Sequence, residues 1–176
     1  MKYALVRLDR KLTGLLQDWP PFLRPLMLLA SFLGLPIVTA AIVTIGLWVS
    51  FGLGNESVAL ALLLCFVAMG VNLVLKLTLQ RARPETLYAS SIRFNTYSFP
   101  SGHSFSAFML YGLCAYLASE YFVAAWAPVL TWGFVGLIIL VGLSRIYLGA
   151  HYLLDVFGGW VLGGFFLWLI LVVVRP

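Results

Sequence analysis

Apolar residues run through this chain in long blocks, and the polar ones gather at the ends of those blocks. Five stretches contain no Asp, Glu, Lys, Arg or His: residues 25–55, 57–75, 104–119, 121–144 and 156–174. Each supplies a helix of roughly 20 residues, the length that crosses a bilayer's hydrocarbon core, the third with help from its neighbours. The first stretch is too long for one upright helix and too short for two with a turn. It reads as one tilted span over about 36–51, preceded by an interfacial piece that breaks at Gly34-Leu35-Pro36. Ahead of the blocks, residues 1–18 place Leu5, Leu8, Leu12 and Leu15 at helical spacing, with Lys2, Arg7, Arg10 and Lys11 largely elsewhere on the wheel. That pattern predicts an amphipathic helix lying on the membrane as an anchor. Its charges interrupt any apolar core of signal-peptide length and no A-x-A site follows, so a cleaved leader is not expected.

Composition agrees with the pattern. At 62% hydrophobic and 10% charged over 176 residues, the chain is more apolar than a soluble core of this size requires. The expected fold is all-α: an integral membrane helical bundle of about five transmembrane helices plus an N-terminal amphipathic interfacial helix. It forms one domain over 1–176, with 1–24 interfacial, about 26–175 the transmembrane bundle, and loops at 76–103 and 144–155 carrying the chemistry. The net charge of +5 comes without a dense basic run or an aromatic-interleaved groove, so anionic lipid and no nucleic acid is the expected partner. Cys65 and Cys114 sit singly inside apolar spans and read as packing residues. Gly158-Gly159 and Gly163-Gly164 permit close helix approach.

Reactive side chains cluster in three places. In Ser144-Arg145-x5-His151-x3-Asp155, a helix continuing past Gly149 would put His151 and Asp155 on one face, where the carboxylate could fix the imidazole tautomer and leave the other nitrogen as base or nucleophile. The plainer alternative is an Arg145–Asp155 ion pair stapling two helices beside a buried histidine. The second span runs into Lys76-x6-Arg83-Pro84, with Pro84 ending the helix and Lys76 and Arg83, seven apart, nearly on one face. A lysine inside an apolar span is costly unless it faces the bundle interior or a wet cavity. Arg81, off that alignment, reads as snorkelling to the headgroups. Residues 85–99, with Ser90, Ser91, Arg93, Asn95 and Thr96, form a polar loop that reads as a lid or collar. Then Pro100-Ser101-Gly102-His103 opens the third span, where exposed amides and the helix dipole make an anion cradle; the alternative is an ordinary Ser101 cap with His103 at headgroup level. Counting spans brings all three clusters to one membrane face. Three cations, a helix N-terminus, two histidines and a carboxylate suit a dianionic phosphate and its charge-dispersed transition state. The sequence offers no acidic cluster to hold a divalent metal.

These three motifs, in this order and spacing, resemble the signature of the type 2 phosphatidic acid phosphatase (PAP2) superfamily of lipid phosphatases. The likeness covers the membrane domain from about Asp9 onward, and the size is similar to the bacterial phosphatidylglycerophosphatase B or undecaprenyl-diphosphate phosphatase branch. No counterpart is expected of the additional N-terminal span those relatives often carry. The resemblance implies His151 as the nucleophile that becomes phosphorylated, Asp155 as its orienting partner and His103 as acid for the leaving group. It implies that Lys76, Arg83, Ser101, Gly102 and Arg145 bind phosphoryl oxygens, with Ser144 a weaker member, and that no metal or other cofactor is used. The expected substrate is a membrane lipid phosphate or diphosphate whose tail stays in the bilayer. Readings from other classes are a b-type haem protein with His103 and His151 as axial ligands, which leaves the cations unexplained, and a non-catalytic lipid-binding protein. The expected location is the cell (inner) membrane. An odd number of spans puts the basic N-terminus and the site on one face, cytoplasmic by the positive-inside rule, whereas the undecaprenyl-diphosphate phosphatases point to the outer face.

Overall fold

The computed structural model describes residues 2–92 and 97–174, with Lys2, Tyr3 and Leu5 as backbone only. Every regular element among the described residues is helical: α1 (Lys2–Gln17), a 3-10 turn at Pro21–Leu23, α2 (Arg24–Leu33), α3 (Pro36–Gly52), α4 (Glu56–Leu79), α5 (Leu87–Ser90), α6 (Gly102–Tyr121), α7 (Ala127–Tyr147) and α8 (Leu153–Val174). Among the described residues α4, α7 and α8 are long and apolar enough to cross a membrane, and the α2–α3 pair makes a fourth if its two arms, bent by 48°, are one span. The bend falls where Gly34-Leu35-Pro36 predicts it, because proline cannot continue α2 but is pre-set for the first turn of α3. The piece before the break does more than lie at the interface: α2 packs along α7, burying Met27, Ala30 and Ser31, and its last carbonyl, Leu33 O, accepts from the Tyr111 hydroxyl at 2.9 Å.

Burial is arranged for lipid. Helix α6 is the axis of the bundle, packed by α7, α8, α4 and α3, with Phe105, Met109 and Leu113 almost fully enclosed against Val43, Cys65 and Val141. Large apolar side chains point outward, Trp48 at 79% and Trp132 at 72% exposure among them. No water-facing surface of a small domain would carry so many. The chain is a multi-pass membrane protein.

The α8 glycines let α6 approach at backbone distance. A Cβ on Gly159 would stand 2.7 Å from Ser101 O and 3.0 Å from Ser104 Cβ, and one on Gly163 2.8 Å from Phe108 Cβ. Gly159→Ala is therefore expected to destabilise the bundle by about 1–3 kcal/mol, as overpacking does. Gly136→Ala, whose new methyl meets nothing within 4 Å, serves as the control. Thermal unfolding of both in one detergent checks this; equal melting temperatures would show that α6 and α8 are not locked at Gly159.

Candidate active site

Helix α4 stops short of Pro84. Gln80 adopts the left-handed conformation (φ 48°) and its N–H closes on Lys76 O, so Lys76 lies in the last helical turn while Arg83 sits in an extended segment beyond it. The expected shared helix face is therefore not the link between them. The link is tertiary: Ser98 N donates to Arg81 O at 2.7 Å, the Ser98 hydroxyl to Ala82 O at 2.9 Å, and Lys76 Nζ to Tyr97 O at 3.0 Å. This lacing folds residues 81–83 against the segment that leads into α6. Lys76 is thereby buried, as is Ser98.

His151 is not in a helix either. Gly149, at φ 75°, turns the chain out of α7, the Ala150 and His151 amides donate to Arg145 O at 3.0 and 3.2 Å, and α8 begins only at Leu153. Any side chain at that φ would be strained, and a Cβ would also meet Thr86 at 2.8 Å. Asp155 reaches back over the turn. Its Oδ2 accepts from Tyr152 N at 2.9 Å, the reciprocal half of a capping box, and lies 3.5 Å from His151 Nδ1. The pair expected from helical spacing thus forms through a helix cap. On the other side of the ring, Arg83 Nη1 donates to Ala150 O at 3.1 Å and stands 3.4 Å from His151 Nε2. A guanidinium can only donate, so Nε2 presents a lone pair and Nδ1–H faces the carboxylate. Burial first, then the cations Arg145, Lys76 and Arg83, hold His151 well below its ordinary range, so the ring is neutral at physiological pH.

Arg145 is almost wholly enclosed, yet it does not pair with Asp155, which overturns the ion-pair alternative. Its Nη1 donates to the Ser31 hydroxyl and, at 3.4 Å, approaches the Tyr88 hydroxyl, and its guanidinium lies 5.6 Å from the Tyr88 ring centroid. Nε is buried without a hydrogen-bond partner among the described residues, and so is His151 Nδ1. Asp155 Oδ1 is taken instead by Arg81 Nη1 at 2.7 Å.

At the start of α6, Ser101 is an ordinary N-cap: its hydroxyl accepts from Ser104 N (3.4 Å) and from the Ser104 hydroxyl (3.0 Å), while its own amide donates to Asp155 O at 3.0 Å. The amides at the helix start that lack an intrahelical acceptor are then those of Gly102 and His103. His103 lies within the field of Arg145, His151, Lys76 and Arg83. The Ser144 hydroxyl turns onto its own helix, donating to Val141 O at 2.6 Å. Of the polar loop, α5 brings Tyr88 to Arg145, while Arg93, Asn95 and Thr96 lie outside the described residues.

Sequence reasoning missed Arg81, Asp9 and Ser31 as participants, and Thr13 as a docking contact outside the site. Arg81 does not snorkel; it bridges Asp155 and Asp9, which raise its pKa by more than its burial lowers it. Asp9 and Thr13 are buried in α1 while Leu8, Leu12 and Leu15 on the same helix are exposed. An Asp-x3-Thr pair beside a leucine stripe was the available signal, the i, i+4 mark of a polar strip turned toward protein. Ser31 on α2 had no such mark.

Similarity to known proteins follows the same residues. The family model described as the PAP2 superfamily matches residues 57–176, which hold all three motifs. Phosphatidylglycerophosphatase B of Bacillus subtilis (strain 168) is 39% identical over 100 residues, a match taking in 53% of this chain but only 46% of that relative's length. A crystal structure of a transmembrane PAP2-type phosphatidylglycerolphosphate phosphatase from Bacillus subtilis superposes with a TM-score of 0.82 at 29% identity, covering 95% of this chain and 84% of the other. Aquifex aeolicus LpxE shares the fold, with a TM-score of 0.69 at 22% identity over 93% and 94% of the two chains. With two thirds of its length matched by the family model, from α4 through α8, this chain belongs to the PAP2 superfamily.

Proposed function

We propose that this protein is a membrane phosphatase that hydrolyses a lipid phosphate or diphosphate through a phosphohistidine on His151, without a metal ion. The observation that carries the reading is the gathering of cations around a neutral imidazole. Arg145, Lys76 and Arg83 all act on His151, and Arg145 and Lys76 are buried. The buried carboxylates nearby, Asp9 and Asp155, are both bound by Arg81. Buried charge is costly without a counter-ion, and a phosphate dianion is the counter-ion that such a cluster suits.

In this reading His151 Nε2 attacks phosphorus as the P–O bond to the lipid breaks, with Asp155 holding Nδ1–H. His103 gives a proton to the departing oxygen and then takes one from the water that cleaves the phosphohistidine. Arg83, Arg145, Lys76 and the amides of Gly102 and His103 stabilise the equatorial oxygens. Ser101 and Ser144 contribute through backbone position, since their hydroxyls serve helix caps and turns. The bundle is read as one domain over 1–176 with five spans, counting α3 and α6 beside α4, α7 and α8, and with α1 lying at the interface of the cell (inner) membrane. Phosphatidylglycerophosphate heads the substrates to try, on the strength of the Bacillus subtilis relatives.

Phosphate release from lipid phosphates in mixed micelles tests the function. Activity is expected to persist after dialysis against excess EDTA and to be inhibited by vanadate. Complete loss with EDTA, restored by magnesium, overturns the metal-free assignment, and no release from phosphatidylglycerophosphate, phosphatidic acid or undecaprenyl diphosphate overturns the function.

A further inference from the structure

We propose that Asp9 is a positioning residue of the active site, acting through Arg81 on Asp155 and so on His151, which makes α1 a working part of the enzyme beyond its anchoring role. The inference rests on the reading of His151 and Asp155 given above. Its basis is an unbroken chain of contacts: Asp9 Oδ2 to Arg81 Nη2 at 2.5 Å, Arg81 Nη1 to Asp155 Oδ1 at 2.7 Å, and Asp155 Oδ2 to His151 Nδ1 at 3.5 Å. One guanidinium forks between two carboxylates, and its plane is fixed by the Tyr152 ring, 4.6 Å from the Arg81 Cζ. Both carboxylates have fully buried side chains, whereas that of Arg81 keeps 26% exposure.

Without Asp9, a partly exposed arginine is held at one end only. It can swing toward headgroups, or commit both arms to Asp155 and draw that carboxylate away from Nδ1–H. Either outcome loosens the imidazole that must meet phosphorus in line. Helix α1 also docks on the start of α8 through two backbone amides: Leu153 N donates to the uncharged Thr13 Oγ1 at 3.1 Å, beside Leu154 N donating to Asp9 Oδ1 at 3.0 Å. Docking and positioning are therefore separable. Asp9→Asn keeps an oxygen for Leu154 N and removes the ion pair, while Thr13→Ala removes a docking bond and leaves the ion pair.

Steady-state kinetics on a lipid phosphate compare Asp9→Asn, Thr13→Ala, Arg81→Gln and the double variant Asp9→Asn/Arg81→Gln. For Asp9→Asn, kcat is expected to fall ~10 to 100-fold, by analogy with the loss of outer partners behind metal-bound histidines, with KM within about twofold. Thr13→Ala should keep kcat, and Asp9→Asn should add little once Arg81 is already Gln, because coupled residues are not additive. Wild-type kcat in Asp9→Asn, equal losses in Asp9→Asn and Thr13→Ala, or full additivity with Arg81→Gln overturns the proposal. Should Asp9→Asn not yield monodisperse protein, Arg81→Lys carries the test: one ammonium cannot fork between two carboxylates, so an unchanged kcat there overturns it. Turnover surviving in His151→Ala is the failure of the underlying reading, whereas an inactive His151→Ala beside a fully active Asp9→Asn refutes this proposal alone.

Discussion

His151→Ala is expected to abolish turnover on every phosphoester, however good its leaving group. His151 is the proposed nucleophile, and without it the phosphoenzyme does not form; the surrounding cations have no route around that step. His103→Ala is expected to behave differently. It removes a proton donor, worth ~100 to 10,000-fold in general acid catalysis, and the size of the loss should follow the leaving group. A lipid alkoxide is strongly basic and needs the proton; p-nitrophenolate departs without one. Relative activity of the His103 variant should therefore recover on p-nitrophenyl phosphate, while that of the His151 variant should not. Equal failure of both folded variants on both substrates, or recovery in His151→Ala, would mean that these roles are misassigned.

How far the site could be read in advance depended on whether a contact is local. Lys76, Arg83, Arg145, His151 and Asp155 were legible because ionisable residues stand out in apolar spans and because span counting alone puts their ends on one face. The reasons for their proximity were not legible. Helical spacing suggested that Lys76 and Arg83 share a face and that His151 and Asp155 stack one turn apart. Both pairs are built by breaks instead, at Gln80 and at Gly149, where one residue's φ redirects the chain. A left-handed glutamine leaves no compositional mark, and a glycine before a histidine is compatible with several turns. The partners of the charged groups were hidden for a different reason. Ser31 and Asp9 come from helices that sequence treats as interfacial, and their roles depend on how α2 and α1 pack on α7 and α8. The leucine stripe of α1 was legible, but Asp9 and Thr13, which the fold buries against α8, lie off that stripe on the same helix. The break at Gly34-Leu35-Pro36 was read correctly because proline imposes it locally, whatever surrounds it.

Arg145→Lys should not restore what Arg145→Ala loses, although it preserves the charge. The guanidinium is held through Nη1 by the Ser31 hydroxyl and by the Tyr88 hydroxyl at 3.4 Å, and its Cζ lies 5.6 Å from the Tyr88 ring centroid. Nε, buried and without a partner among the described residues, is left as a donor for a phosphoryl oxygen. An ammonium is a compact point charge without a second arm. Seated at the Ser31 and Tyr88 hydroxyls, its one remaining N–H would start from the place of Nη1 and not from that of Nε, and moved toward the substrate it would abandon the contacts that fix it. Losing one preorganised donor to a developing oxyanion typically costs ~100 to 1,000-fold in kcat, and that is the loss expected for Arg145→Lys, with a smaller change in KM because charge attraction to the dianion remains. Ser31→Ala should reproduce part of the effect, since it frees the guanidinium without removing it. Steady-state kinetics of the three variants on one lipid phosphate decide the matter: wild-type kcat and KM in Arg145→Lys would show that the site requires only a positive charge at this position.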